Sequence, residues 1–131
     1  MIGLDTNILV RYFAQDDPVQ SRKATILIEG HLTEQTPGFI SIVALAETIW
    51  VLKRAYGLTE KEIAAVLERV LQADTLVVEH EAAVATALMA LWEGYGSFAD
   101  ALIGAINAQA GCAQTVTFDR KAVRLPGFQI L

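Results

Sequence analysis

Residues 37–57 read PGFISIVALAETIWVLKRAYG. Pro37-Gly38 marks a turn. Phe39–Ile42 behind it is short, apolar and rich in strand-forming residues, which predicts a strand. Val43–Tyr56 is too long and too continuously apolar for a strand, and Gly57 supplies a stop, which predicts a helix. A short strand feeding a long apolar helix is the repeating unit of an α/β sheet.

The same unit recurs on both sides. Upstream, Ile2–Leu4 is a short apolar run, followed by predicted helices over Asn7–Ala14 and over Pro18–Gly30, with Pro18 in the first turn and Gly30 as the stop. Downstream, Thr59 and Glu62 have the spacing of a capping box for a helix to Gln72, whose apolar positions recur at helical intervals. Thr75–Glu79 reads as a strand, Ala82–Trp92 and Ala99–Ala110 as helices, Thr115–Phe118 as a strand and Phe128–Leu131 as a last edge strand. The alternation predicts one domain over 1–131, an α/β fold with a mostly parallel central sheet and helices on both faces. Sites in such sheets lie beyond the carboxyl ends of the strands, where Asp5 and Asp119 fall.

Composition narrows the class. Hydrophobic residues make up 53% and charged residues 19%, which fits a folded chain. The lone cysteine, Cys112, excludes an internal disulfide and suits a reducing, cytoplasmic setting. No basic, then apolar, leader is seen at the start, and no uncharged stretch reads as a membrane span. A net charge of −5 argues against a general basic nucleic-acid binder. It leaves room for an acidic pocket whose sign is reversed by bound cations.

Four carboxylates stand alone in apolar surroundings. Asp5 is the only charged residue before Arg11, Glu47 the only one between Glu34 and Lys53, and Asp100 the only one between Glu93 and Asp119. Asp119 itself follows the uncharged run Thr115–Phe118. Burial of these segments would leave the acids without basic partners, which is costly unless they are paired, neutralised or metal-bound. Crowded carboxylates also repel, and Mg²⁺ or Mn²⁺ resolves that conflict through oxygen ligands. Each acid has a plainer reading as well. Asp5 is also consistent with a helix N-cap, Asp100 with a capping box begun by Ser97, and Asp119 with a turn. Glu47, inside a helix, has no capping role, but a distant partner or solvent would satisfy it.

Taken together, four blocks resemble the PIN-domain family, and within it the VapC toxins of toxin–antitoxin pairs. They are Asp5-Thr6-Asn7 after Ile2-Gly3-Leu4, Ser41 with Glu47, Phe98-Ala99-Asp100-Ala101-Leu102-Ile103, and Thr115-Val116-Thr117-Phe118-Asp119. The resemblance spans essentially the whole chain. It implies a three-layer α/β/α fold and a Mg²⁺- or Mn²⁺-dependent endoribonuclease. It implies a cognate VapB-like antitoxin and a homodimer. By position, Asp5, Glu47, Asp100 and Asp119 take the family's acidic roles, with Thr6 and Thr117 as supporting hydroxyls.

Cations near such a pocket would hold the RNA backbone; the candidates are Arg120, Lys121 and Arg124, with Lys53 and Arg54. His31 and His80 match no metal spacing. Gly94-Tyr95-Gly96 reads as a turn, and Trp50, Trp92, Tyr12, Phe13 and Phe98 read as core or interface. The rival functions are a phospho-receiver domain and an inactive partner-binding domain. The receiver reading lacks paired acids after the first strand and the lysine it needs after a later one.

Overall fold

The computed structural model describes residues 1–131, which divide into two compact units, 1–79 and 80–131. The first unit runs β1 (Ile2–Gly3), α1 (Thr6–Ala14), α2 (Pro18–Thr25), β2 (Gly38–Ile40), α3 (Ile42–Arg54), α4 (Glu60–Gln72) and β3 (Leu76–Val78). The second runs α5 (Glu81–Glu93), α6 (Phe98–Gln109), β4 (Thr115–Thr117) and β5 (Phe128–Ile130). Every strand pair is parallel, and pairing is shared between two sheets, β1-β2-β3 and β4-β5.

In the first unit β2 is central. Gly38 lies opposite both Ile2 and Leu76, and Phe39 opposite Gly3 and Val77. Gly38 is required by packing: a Cβ there would come within 2.7 Å of Leu32 Cδ1 and 2.9 Å of Leu4 Cδ1. Two further bonds, Leu4 N–H to the Phe39 carbonyl and Glu79 N–H to the Ile40 carbonyl, both 2.9 Å, carry the ladder to its carboxyl edge. Asp5, Ser41 and Glu79 therefore stand at that edge.

The helices end where their caps dictate. Asp17 accepts from the Val19 and Gln20 amides and Pro18 opens α2, whereas Thr59 and Glu62 form the full reciprocal box on α4. Gln15, in the left-handed region at φ 54°, turns the chain back so that α2 packs on α1. The predicted helix over 18–30 is α-helical only to Thr25. Ile26–His31 continues it as a π-helix, and the Leu32 amide reaches back five residues to the Leu27 carbonyl at 3.0 Å. The core of this unit includes Leu9, Ile40, Leu45, Leu52, Ile63 and Leu67, all nearly inaccessible.

In the second unit α5 packs against α6, and Gly94 closes α5 at φ 74°, so the Gly94-Tyr95-Gly96 segment is a turn. Gly104 lets α6 approach β5: a Cβ there would lie 2.5 Å from Phe128 Cε2. The aromatic expectation divides. Phe98 is core, while Trp50 and Trp92 are 63% and 64% exposed. No helix is long and apolar enough to cross a membrane.

Candidate functional site

Asp5 follows β1 and caps α1 with an extended backbone; its Oδ1 accepts from the Thr6 amide at 2.8 Å, and its carbonyl accepts from the Ile8 and Leu9 amides. The capping reading is realised, yet it engages only one carboxylate oxygen. Glu47 lies in the middle of α3, which Ser41 opens by accepting from the Ala44 amide. Its carboxylate makes no hydrogen bond or ion pair within the protein.

The expectation that these acids lie buried is corrected: Asp5, Glu47 and Asp119 are exposed and Asp100 is half-buried. Glu47 shows why. On a helix turning about 100° per residue, positions 43, 47, 50 and 54 share one face. Val43, Glu47, Trp50 and Arg54 are all exposed, whereas Ala44, Leu45, Thr48, Ile49 and Leu52 form the buried stripe. Apolar neighbours in sequence are not neighbours in space.

Asp5, Thr6, Asn7, Val10, Arg11, Glu47, Val51 and Tyr56 line one open cavity of about 320 Å³. Two of the four expected acids and the expected hydroxyl of Thr6 thus share a cavity in the first unit. Sequence reasoning missed Asn7, Arg11 and Tyr56 on its walls. The available signal was spacing, because Asn7 and Arg11 lie four residues apart on one face of α1.

Arg11 is held firmly. Its Nη1 donates to Asp16 Oδ1 at 3.1 Å and to the Tyr56 hydroxyl at 3.1 Å, and its Nε donates to Gln20 Oε1 at 2.8 Å. Tyr56 in turn donates to Asp16 Oδ2 at 2.6 Å. That last bond is the main cause of two opposite shifts, holding Asp16 below the usual carboxylate range and pushing the Tyr56 phenol up. The Tyr56 contact also helps to raise Arg11, which stays charged.

In the second unit, Asp100 occupies the first turn of α6. Ser97 Oγ accepts from the Asp100 amide at 3.1 Å, but the carboxylate returns no bond to Ser97. Only half of the capping box forms, and the Asp100 side chain is left free at a helix end that favours negative charge. Asp119 realises the turn reading. Its Oδ1 accepts from the Lys121 amide at 2.8 Å, and its own amide donates to Thr117 Oγ1 at 3.0 Å. Thr117 therefore orients the turn that carries Asp119.

Among the expected RNA contacts, Lys53 is paired with Glu60 and Arg54 lies 6.0 Å above the Trp50 ring. Arg120 and Lys121 are exposed, and neither side chain is in an ion pair. Glu79, not singled out from sequence, accepts from the Ile42 amide at 2.9 Å and so serves the start of α3.

Within neither unit do three His, Cys, Asp or Glu side chains form a group able to hold a metal ion. The donor chemistry of the first unit nevertheless suits a hard cation. Asp5 and Glu47 line one open cavity with no His, Cys or Met beside them, and the Arg11 guanidinium lines it too. Mg²⁺ is commonly held by one or two carboxylates and keeps several waters.

No curated protein matches the chain. The family model of the PIN domain matches residues 2–127. PIN domains are generally nucleases, generally use divalent metals and bind RNA, and the six helices and parallel sheets fit their α/β/α fold. With all but a few terminal residues matched, the chain belongs to the PIN-domain family.

Proposed function

We propose that this protein is a Mg²⁺- or Mn²⁺-dependent endoribonuclease and the toxin of a type II toxin–antitoxin pair. The observation that carries the reading is the placement of Asp5 and Glu47 on one open cavity, in a chain matched to a nuclease family over residues 2–127. The span of that match also supports a single catalytic domain over 1–131.

Asp5 and Asp100 are the proposed metal ligands, with Glu47 and Asp119 completing the set or orienting the attacking water. When bound, a divalent ion supplies a reactive hydroxide from water near neutral pH and offsets phosphate charge. Asp5 keeps Oδ2 available while Oδ1 caps α1, and Asp100 keeps its whole carboxylate available. Glu47, unpaired and open to solvent, accepts a proton from water positioned over the cavity. The Thr6 amide fixes the Asp5 carboxylate, and the Thr117 hydroxyl holds the backbone at Asp119. Arg120 and Lys121 are the preferred backbone contacts, because Lys53 is already occupied by Glu60. Water attacks phosphorus in line, the P–O3′ bond breaks and the 3′-oxygen leaves with a proton from solvent, giving a 5′-phosphate and a 3′-hydroxyl, so the RNA 2′-hydroxyl takes no part.

The antitoxin, the homodimer and the cytoplasmic setting belong to the same proposal. Exposed Trp50, Trp92, Met89 and Phe118 offer apolar surface for protein contacts, and Cys112 is a free, exposed thiol suited to a reducing compartment. Incubation of the pure protein with single-stranded RNA tests the activity. Cleavage with 5′-phosphate ends is expected in Mn²⁺ and none in EDTA. Products ending in 2′,3′-cyclic phosphate would contradict the scheme.

A further inference from the structure

We infer that the groove between α1 and α2 is a subsite for one nucleotide unit of the RNA, next to the phosphodiester that is cut. The inference rests on the proposed ribonuclease activity. Its first observation is a second cavity, of about 380 Å³, that shares Asn7 and Arg11 with the acid-bearing one. That volume lies within the roughly 300–1,000 Å³ range of small-ligand clefts.

The lining is divided by chemistry. Ile8, Ala24 and Leu27 form an apolar wall, while Gln20, Arg11 and Lys23 supply polar and positive groups. No carboxylate lines this cavity, although the chain carries a net charge of −5. An apolar wall beside two cations matches a base or ribose joined to a phosphate. It does not match the acid pair next door, which suits a metal ion.

The Arg11 guanidinium is prepared for this role. Gln20, Asp16 and Tyr56 engage its Nε and Nη1 donors, and its Nη2 makes no hydrogen bond. A planar fork fixed along one edge presents its remaining donors with little further loss of freedom. Asp16 offsets part of the Arg11 charge but lines neither cavity. Lys23 has no ion-pair partner and adds an uncompensated charge one helical turn beyond Gln20. Arg11 would thus position the phosphate that bridges the two cavities, and Lys23 the phosphate one step farther along the strand.

Fluorescence anisotropy with a labelled single-stranded oligouridylate in EDTA separates binding from cleavage. Lys23 is exposed, so its replacement leaves the fold intact. Lys23→Gln is expected to weaken binding about 3–10-fold and to lower the slope of log affinity against log salt by about 0.7, the value for one phosphate contact on a single strand. Lys23→Glu should weaken binding further, and Lys61→Gln, on α4, should leave it unchanged. In Mn²⁺, Lys23→Gln should raise KM while kcat holds. Equal affinity and slope in wild type, Lys23→Gln and Lys23→Glu would overturn the subsite. So would a Lys23→Glu variant that binds RNA normally but changes its oligomeric mass, because the groove would then be a self-association face. Wild-type protein that binds RNA in this Lys23-dependent way but never cleaves it would refute the ribonuclease reading and leave the groove as an RNA-binding site without an adjacent cut. Wild-type protein that binds no RNA would refute both.

Discussion

Asp5→Asn is expected to lower RNA cleavage by at least about 100-fold while leaving the melting temperature within a degree or two of wild type. The two halves of this result have separate causes. The structural duty of Asp5 is to accept one hydrogen bond, from the Thr6 amide, at the start of α1. Asparagine caps a helix as well as aspartate does, so that duty survives. The proposed chemical duty requires a negatively charged oxygen at Asp5, which lines the cavity shared with Glu47. An amide carbonyl is a much poorer ligand for a hard cation. Loss of a group that merely supports a metal ligand already costs about 10–100-fold, and loss of the ligand itself should cost more. The check is kcat/KM in Mn²⁺ beside a thermal melt. A folded Asp5→Asn protein with full activity would exclude Asp5 as a ligand.

Leu52→Ala is expected to act in the opposite sense, by unfolding the protein without touching the chemistry. Leu52 has no accessible surface and lies on the buried stripe of α3. Removing a fully buried leucine typically costs about 2–5 kcal/mol, from lost burial together with the cavity left behind. A loss of that size should lower Tm by roughly 10 °C or more in a domain of this length. Trp50→Ala, two residues away, is the matched contrast. That ring is mostly exposed, and its loss should change stability by no more than about 0.5 kcal/mol. Paired melts of the two variants check the register of α3. A larger loss for Trp50→Ala than for Leu52→Ala would show that the helix face carrying Glu47 is assigned wrongly.

The elements were legible where local chemistry fixes them. The capping box of Thr59 and Glu62 marked the start of α4, and Gly94 marked the end of α5, whereas α3 stops at Arg54, two residues short of the expected end at Tyr56. Parallel pairing followed from the alternation of strands and helices. The π-helical turn over Ile26–His31 was not legible, because a shift of backbone partner from four residues to five leaves no mark in composition.

The two acids Asp5 and Glu47 could be picked out from the sequence and line one cavity, but their exposed setting was not legible. Isolation in an apolar sequence suggested burial, whereas the helical turn sends Glu47 to the face opposite Leu45, Ile49 and Leu52. The box at Ser97 forms only by half, with Asp100 in the place where the reciprocal bond usually comes from the longer Glu or Gln. Arg11 was hidden for another reason. Its fixed orientation comes from Asp16, Gln20 and Tyr56, and the last of these lies 45 positions away in the chain.

Calorimetric titration with Mn²⁺ of the wild-type protein and of the Asp5→Asn and Asp100→Asn variants addresses the joint role of the acids most directly. Saturable binding in wild type that is lost or severely weakened by either substitution is the predicted result. Mn²⁺ binding that survives both changes intact, or is absent from an RNA-cleaving wild-type protein, would contradict the account.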